Sequence, residues 1–407
     1  MTYVLSGPGA SVPGPLFSFV GWTLPVRSIY LDYNATTPLA PAAQEAMLPY
    51  LADRFADPLG EHVAGRAVAE AIEDARTRLA TAIGAAPDEI VWTSGATEAS
   101  NLALRGLIEP AVRAGERPHL VVSAVDHAAV QGPARFLARL GAELTIVPVD
   151  RQGLVDPDAV TAALRPTTRL VSVVHANEEI GAVQPIAEIA AVCRREGVRF
   201  HTDAAQSLTK LPIDVRQLDV DLLSLSAHKA YGPKGVGALY VRRGVGLEPQ
   251  LLGDAHEAGQ RAGMPNIAGL VGFGAVAVVG QQCLDDSTQR VAALRDRLQQ
   301  QLTCGAEGAV TYGPSDQRRL ANTLCIALPG VVATELLAAV PELCAMPCAG
   351  GGTADSGDVS LSPTLRAIGA DPAEAVGAIR LSLGWYSDEE EIDAVANALL
   401  AAWEQLR

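Results

Sequence analysis

Several scarcities narrow the field before any motif is read. Aromatic residues make up 4% of the 407-residue chain, too few for platforms that stack nucleic-acid bases. Lys and Arg number 31 against 46 Asp and Glu, and the resulting net charge of −15 repels phosphate backbones, so no nucleic-acid partner is expected. No apolar run reaches the roughly 18 residues that a membrane-crossing helix needs, so no membrane partner is expected either. The six cysteines, Cys193, Cys283, Cys304, Cys325, Cys344 and Cys348, are few and mostly isolated. They read as reduced thiols of a cytoplasmic protein rather than a disulfide framework. Cys344 and Cys348 form a lone C-x3-C, too few ligands for zinc, and no metal is expected. Residues 1–28 lack the basic start and unbroken apolar centre of a secretory signal, which leaves a flexible N-terminal arm as the expectation.

What is present is a globular composition, 49% apolar and 19% charged, in a chain long enough for two or three folding units. Short apolar runs at Glu89–Thr93, His119–Ser123, Glu143–Pro148, Leu170–His175, Arg199–Thr202 and Leu222–Leu225 alternate with helical patterns. The latter include Ala64–Ile83, Ala129–Leu140, Pro157–Leu164 and Ile186–Glu196. That alternation predicts βαβ crossovers and an α/β domain over 29–265 with a mainly parallel sheet. Asp156 and Pro157 read as a helix cap and first helical residue. From 266 to 407 the pattern changes to a long helix over Gly269–Leu302, then strands at Asn322–Ala327 and Ala378–Leu383. Helices at Thr334–Ala339, Ser362–Ile368 and Glu389–Leu406 complete a smaller α+β domain. The Gly-rich stretch Cys348–Ser360 is long enough for a functional loop.

The richest segment is Ser224-Leu-Ser-Ala-His-Lys-Ala-Tyr-Gly-Pro-Lys-Gly235. Lys229 at the end of an apolar strand suits a Schiff-base lysine, because burial there favours the neutral amine. Taken alone, a surface lysine is the simpler reading. Asp203, also at a strand end, could pair with a protonated pyridine nitrogen and keep such a ring an electron sink, or could merely cap a helix. Thr93-Ser-Gly-Ala-Thr-Glu98 runs from a strand into a helix, and its small residues let backbone N–H groups approach a phosphate.

Together these segments resemble the cysteine desulfurase and selenocysteine lyase family of pyridoxal-phosphate enzymes. The resemblance runs from Leu31-Asp-Tyr-Asn-Ala-Thr-Thr-Pro38 through Asp126-His127, Asn177-Glu-Glu-Ile-Gly181 and His201-Thr-Asp-Ala-Ala-Gln206 to Ile379-Arg-Leu-Ser-Leu-Gly384. It implies the aspartate-aminotransferase-like fold (fold type I) and pyridoxal 5′-phosphate as cofactor. By resemblance, Lys229 would hold the cofactor covalently and later shuttle a proton at Cα. Asp203 would bind the ring nitrogen, Gln206 and Asn177 would sit near the 3′ oxygen, and His127 would stack on the ring. Ala96, Thr97, Ser226 and His228 would cradle the phosphate. Arg380 would clamp the α-carboxylate of a small amino-acid substrate, with Asn34 lining the pocket nearby. A homodimer is the implied assembly.

Two departures stand out. The family places a sulfur-accepting cysteine shortly before a Ser-Pro pair and a Leu-x-x-x-Gly helix. Counting back from Ser362-Pro363 and Leu365–Gly369, that position falls on Thr353 or Ala354. Cys348 precedes the Gly triplet and reads more simply as a buried strand-end thiol. Met264 stands where a threonine would reach the cofactor phosphate across the dimer. Without the thiol, β-elimination from cysteine or a cysteine derivative is the favoured expectation, giving pyruvate, ammonia and a sulfur product. The alternatives are a desulfurase or selenocysteine lyase that releases alanine, with a sulfur-acceptor protein as partner, and a catalytically degenerate scaffold.

Overall fold

The computed structural model describes residues 28–254, 256–350 and 360–407. The expected N-terminal arm (apart from residue 28), Thr353, Ala354 and most of the Gly-rich stretch lie outside the described residues.

A seven-stranded sheet organises the larger unit, in the order Ile90–Thr93, Gly237–Val241, Leu222–Ser226, Arg199–Asp203, Thr168–Ser172, His119–Ser123, Glu143–Val147. The last five run parallel, and Gly237–Val241 is antiparallel to both its neighbours. Leu222–Ser226 and His119–Ser123 are buried at every position, as expected of strands covered on both faces. The helices Ala96–Arg113, Ala128–Leu140 and Ile186–Arg195 supply that cover. Asp156 does cap the helix Pro157–Ala163, accepting the Asp158 N–H at 2.9 Å. Sequence reading passed over Gly237–Val241, whose five residues emerge from a Gly-rich turn without alternation.

The long helix expected over Gly269–Leu302 is instead two helices, Ile267–Gln282 and Leu284–Gly305, bent by 73°. The cause is a change of solvent. The first is apolar all round and wedges between Pro41–Leu51 and Val63–Ala82, where a Cβ on Gly274 would lie 2.6 Å from the Ala75 Cα. Beyond Cys283 the chain turns amphipathic and buries Val291, Leu294, Leu298 and Leu302 under a different core. One straight helix could not serve both. Among the described residues no single helix is long and apolar enough to cross a membrane.

That second core lies beneath a four-stranded antiparallel sheet ordered Met346–Pro347, Ala378–Ser382, Thr323–Ala327, Val310–Tyr312. Glu389–Leu406 and Ala333–Ala338 pack on it with Leu284–Gly305. The N-terminal residues join this smaller unit. Ile29–Tyr30 pairs in parallel with Leu343–Cys344, Asp32 bridges Ser382, and Leu31 is wholly buried in the same core.

Candidate active site

A cleft of about 420 Å³ opens where several of the large sheet's strands end. In doubly wound sheets the carboxyl ends of the strands are where ligands bind. Thr93 leads through Ser94 and Gly95 into the helix Ala96–Arg113, so Ala96 and Thr97 present that helix's N-terminus to the cleft. The turn is tight against its neighbour: a Cβ on Gly237 would lie 2.5 Å from the Gly95 Cα. Ser226 ends its strand on the same rim, followed by His228, Lys229 and Lys234. The His228 Nδ1 lies 3.1 Å from the Thr36 hydroxyl, and burial, then Lys229, pull its imidazole down to about 4. A neutral ring, the cationic Lys234 and the helix terminus suit a phosphate.

At the centre, Lys229 Nζ donates to the Asn34 carbonyl oxygen at 3.1 Å. Burial pulls its amine below the ordinary lysine value, and the carboxylates of Glu178 and Asp203 act in the opposite sense. Asp203 ends the strand Arg199–Asp203 with one oxygen accepting the Ala205 N–H at 3.0 Å; no protein donor among the described residues reaches the other. Burial raises the Asp203 carboxyl, and His127 and Lys229 oppose the rise. His127 caps the helix Ala128–Leu140 by accepting the Ala129 N–H at Nδ1, 3.1 Å away, and its exposed side chain lines the cleft. The residues fit pyridoxal phosphate on these grounds: a buried carboxylate without its second donor, a depressed lysine amine, an exposed imidazole and an anion-binding turn, around a cavity of suitable size.

Of the residues singled out from sequence, Ala96, Thr97, His127, Asp203, Gln206, Ser226, His228 and Lys229 line this cleft. Three lie behind its wall. Asn34, expected to line the substrate pocket, is fully buried, and its side chain is fully engaged. Its Nδ2 donates to Thr323 Oγ1 (2.8 Å) and the Glu178 carbonyl oxygen (2.9 Å); its Oδ1 accepts from Asn322 Nδ2 (2.9 Å) and Lys210 Nζ (3.1 Å). Asn177, expected near the 3′ oxygen, accepts the Glu179 and Ile180 N–H groups at 2.9 and 3.0 Å and donates to Val125 O and Thr364 Oγ1. It shapes the turn that carries Glu178 into the cleft. Arg380 is 3% exposed, paired with Asp32 at 2.5 Å, and its Nε has no partner.

Sequence reading missed Glu178, Lys234 and Lys210. The first glutamate of Asn-Glu-Glu and a lysine in a Gly-Pro-Lys-Gly turn read as surface charge. Nothing in Ser207-Leu-Thr-Lys210 signals burial. Met264 is 58% exposed and lines a hollow with Ser94 and Gly235, beside the phosphate turn.

Cys348 is 4% exposed, its Sγ 3.8 Å from that of Cys325, and this contact together with burial raises its thiol well above the ordinary value. Cys344 is exposed, on the short strand beside Tyr30.

Comparison with known proteins agrees with the geometry. The class-V aminotransferase family model matches residues 29–395. The chain is 40% identical over 381 residues to the cysteine desulfurase IscS of Dictyoglomus turgidum, covering 94% of this chain and 96% of that one. It is 44% identical over 368 residues to the IscS of Anaeromyxobacter dehalogenans, covering 90% of each. Among solved structures, a NifS-like protein superposes with a TM-score of 0.87 at 30% identity, covering 93% of this chain and all of its own. SspA in complex with cysteine gives 0.75 at 34% identity, covering 88% and 99%. With this fold, this cleft and these relatives, the chain belongs to the class-V aminotransferases, as a pyridoxal-phosphate enzyme of the cysteine desulfurase family.

Proposed function

We propose that this enzyme cleaves the Cβ–S bond of cysteine or a cysteine derivative by β-elimination, yielding pyruvate, ammonia and a sulfur product. The observation that carries the reading is the state of the thiols. The segment 349–361 contains no cysteine, and the nearest thiol, Cys348, is buried, paired with Cys325 and held protonated by its surroundings. A thiol in that state is a poor nucleophile for substrate sulfur.

The bound cofactor supplies an electron sink that stabilises negative charge at Cα. The rest falls to this chain. Arg380 binds the α-carboxylate with its unpartnered Nε and a free Nη proton, beside Asp32. Lys229, its pKa lowered by burial, takes the Cα proton. Asp203 would hold the ring nitrogen charged, and His127 would cover the ring face. The sulfur leaves Cβ with its bonding electron pair, and water releases the remainder as pyruvate and ammonia. We place this activity in a cytoplasmic homodimer. Exposed Leu251, Leu252 and Met264 support the dimer, being gathered on segments joined where the Ala262 N–H donates to the Leu251 oxygen.

Position favours a second reading, a desulfurase using Cys348. Its N–H donates to the Ala378 oxygen at 2.8 Å, two residues from Arg380 on the same strand. Product analysis separates the two. Incubating the holoenzyme with cysteine and with cystine should give pyruvate and ammonia in step with sulfur release; alanine as the main product would overturn the elimination reading.

A further inference from the structure

Lys210 is a buried amine for which the chemistry above has no use. It follows the turn after Asp203 and is 8% exposed. Its Nζ donates to the Gln206 Oε1 at 2.6 Å and the Asn34 Oδ1 at 3.1 Å. No carboxylate among the described residues lies within salt-bridge distance, and the charged groups felt most strongly are the cations Lys229 and Arg380. Enclosing an amine without an anion is costly, so its two acceptors matter.

Both acceptors are side-chain amides, which could face either way. The amine's protons decide the matter by drawing both oxygens toward Lys210. The Gln206 NH2 group is thereby turned away from Lys210, with one proton on the Asn34 carbonyl oxygen at 2.9 Å and the other without a protein acceptor among the described residues, on a side chain that lines the cleft. The same Asn34 oxygen receives Lys229 Nζ, and the Asn34 side chain reaches Asn322 and Thr323 of the smaller unit.

We infer that Lys210 is a positioning residue: it fixes the Gln206 amide so that a donor, not an acceptor, faces the bound cofactor, and through Asn34 it ties that orientation to the smaller unit's sheet. The inference rests on the cofactor site and is independent of whether sulfur leaves by elimination or by transfer.

The test is a double-mutant cycle on the holoenzyme, read by cofactor affinity and by the visible absorbance band of the bound cofactor. Lys210→Met removes the donor while keeping the length of the side chain, and should weaken cofactor binding by about tenfold, as expected for loss of one hydrogen bond to a charged or strongly polar group. It should also shift the absorbance band. In a Gln206→Leu background, Lys210→Met should change affinity by less than about twofold, because the amide it orients is gone. Gln206→Glu retains a partner for Lys210 but turns an acceptor to the cleft, and should shift the band in the same direction as Lys210→Met. It also serves as the readout if Lys210→Met does not fold. An unshifted band in Gln206→Glu, or equal effects of Lys210→Met with and without the Gln206 amide, would overturn the inference. Neither result would bear on the pyruvate-to-alanine ratio, so failure here is distinguishable from failure of the elimination reading.

Discussion

Replacing Arg380 by Met tests the substrate clamp most directly. The guanidinium is 3% exposed and already spends one Nη on Asp32 at 2.5 Å; its other Nη makes only a 3.4 Å contact with the Glu178 oxygen, and its Nε makes none. An Nε–H and an Nη–H are therefore left unpaired by the protein, behind the cleft wall, for a carboxylate that Arg380 turns to meet. Charge-assisted bonds of this kind contribute about 1.5–3 kcal/mol each, so losing two costs on the order of 3–6 kcal/mol, or about 10²–10⁴-fold in kcat/KM. Methionine conserves most of the buried stem, and Asp32, with a side chain 23% exposed, is left partly solvated rather than stranded. The assay is sulfide release from cysteine and from cysteamine, which lacks the carboxylate. Cysteine turnover should fall by the stated factor, while cysteamine turnover should change by less than about fivefold. Equal losses on both substrates would refute the clamp and point to a general disturbance of the site.

Three further outcomes can be checked. Cys348→Ala should retain at least about half of the sulfide-releasing activity, since an eliminating enzyme does not need a persulfide carrier; loss of activity with the cofactor still bound would favour the desulfurase reading. His201 lies between the Ser172 and Ser224 hydroxyls at 2.8 and 2.9 Å, and burial pulls its imidazole down to about 3. The folded state therefore refuses a proton that the unfolded chain accepts near pH 6.5, so its stabilisation is full above that pH and is lost as pH falls toward about 3. In urea unfolding between about pH 6 and pH 4.5, His201→Gln should reduce the loss of stability by about 1.4 kcal/mol per pH unit, and an unchanged slope would count against this assignment. Glu257 accepts two bonds from Arg76 at 2.7 and 2.8 Å and the Trp92 N–H at 2.9 Å, in a nearly dry setting. Glu257→Ala should destabilise the fold by about 2–4 kcal/mol in denaturant unfolding, because the buried Arg76 keeps only the exposed Glu73 as ion partner and the Trp92 N–H loses its acceptor; a cost below about 1 kcal/mol would contradict the geometry.

Much of the fold was legible because its strands are fully buried. Runs such as Leu222–Ser226 and His119–Ser123 have no polar face to blur the pattern, and the helices between them carry clear caps. The break at Cys283 was not legible, since nothing in a helical pattern announces that its two halves belong to different cores. In the site, residues whose placement is set locally were readable: Lys229 and Asp203 beside strand ends, Thr97 at a helix start. The structural parts of Asn34 and Asn177 were not readable, because an asparagine that builds a turn or a hub looks, in sequence, like one that meets a ligand. Lys210 and Glu178 were invisible for the converse reason. Both meet Asn34, which lies more than a hundred residues away, and charged residues in short linkers ordinarily face water.

The short parallel pairing of Ile29–Tyr30 with Leu343–Cys344 has a mechanical consequence. The polypeptide crosses between the two units twice, once through residues 32–34 and once at the bend beside Cys283. Two straps define a line, and rotation about that line is the relative movement that stretches neither. Arg380 belongs to the smaller unit's sheet and Lys229 follows a strand of the larger one, so a change in swivel alters the span a substrate must bridge. The Asn34 hub stands beside one strap, where it acts as a latch on that rotation.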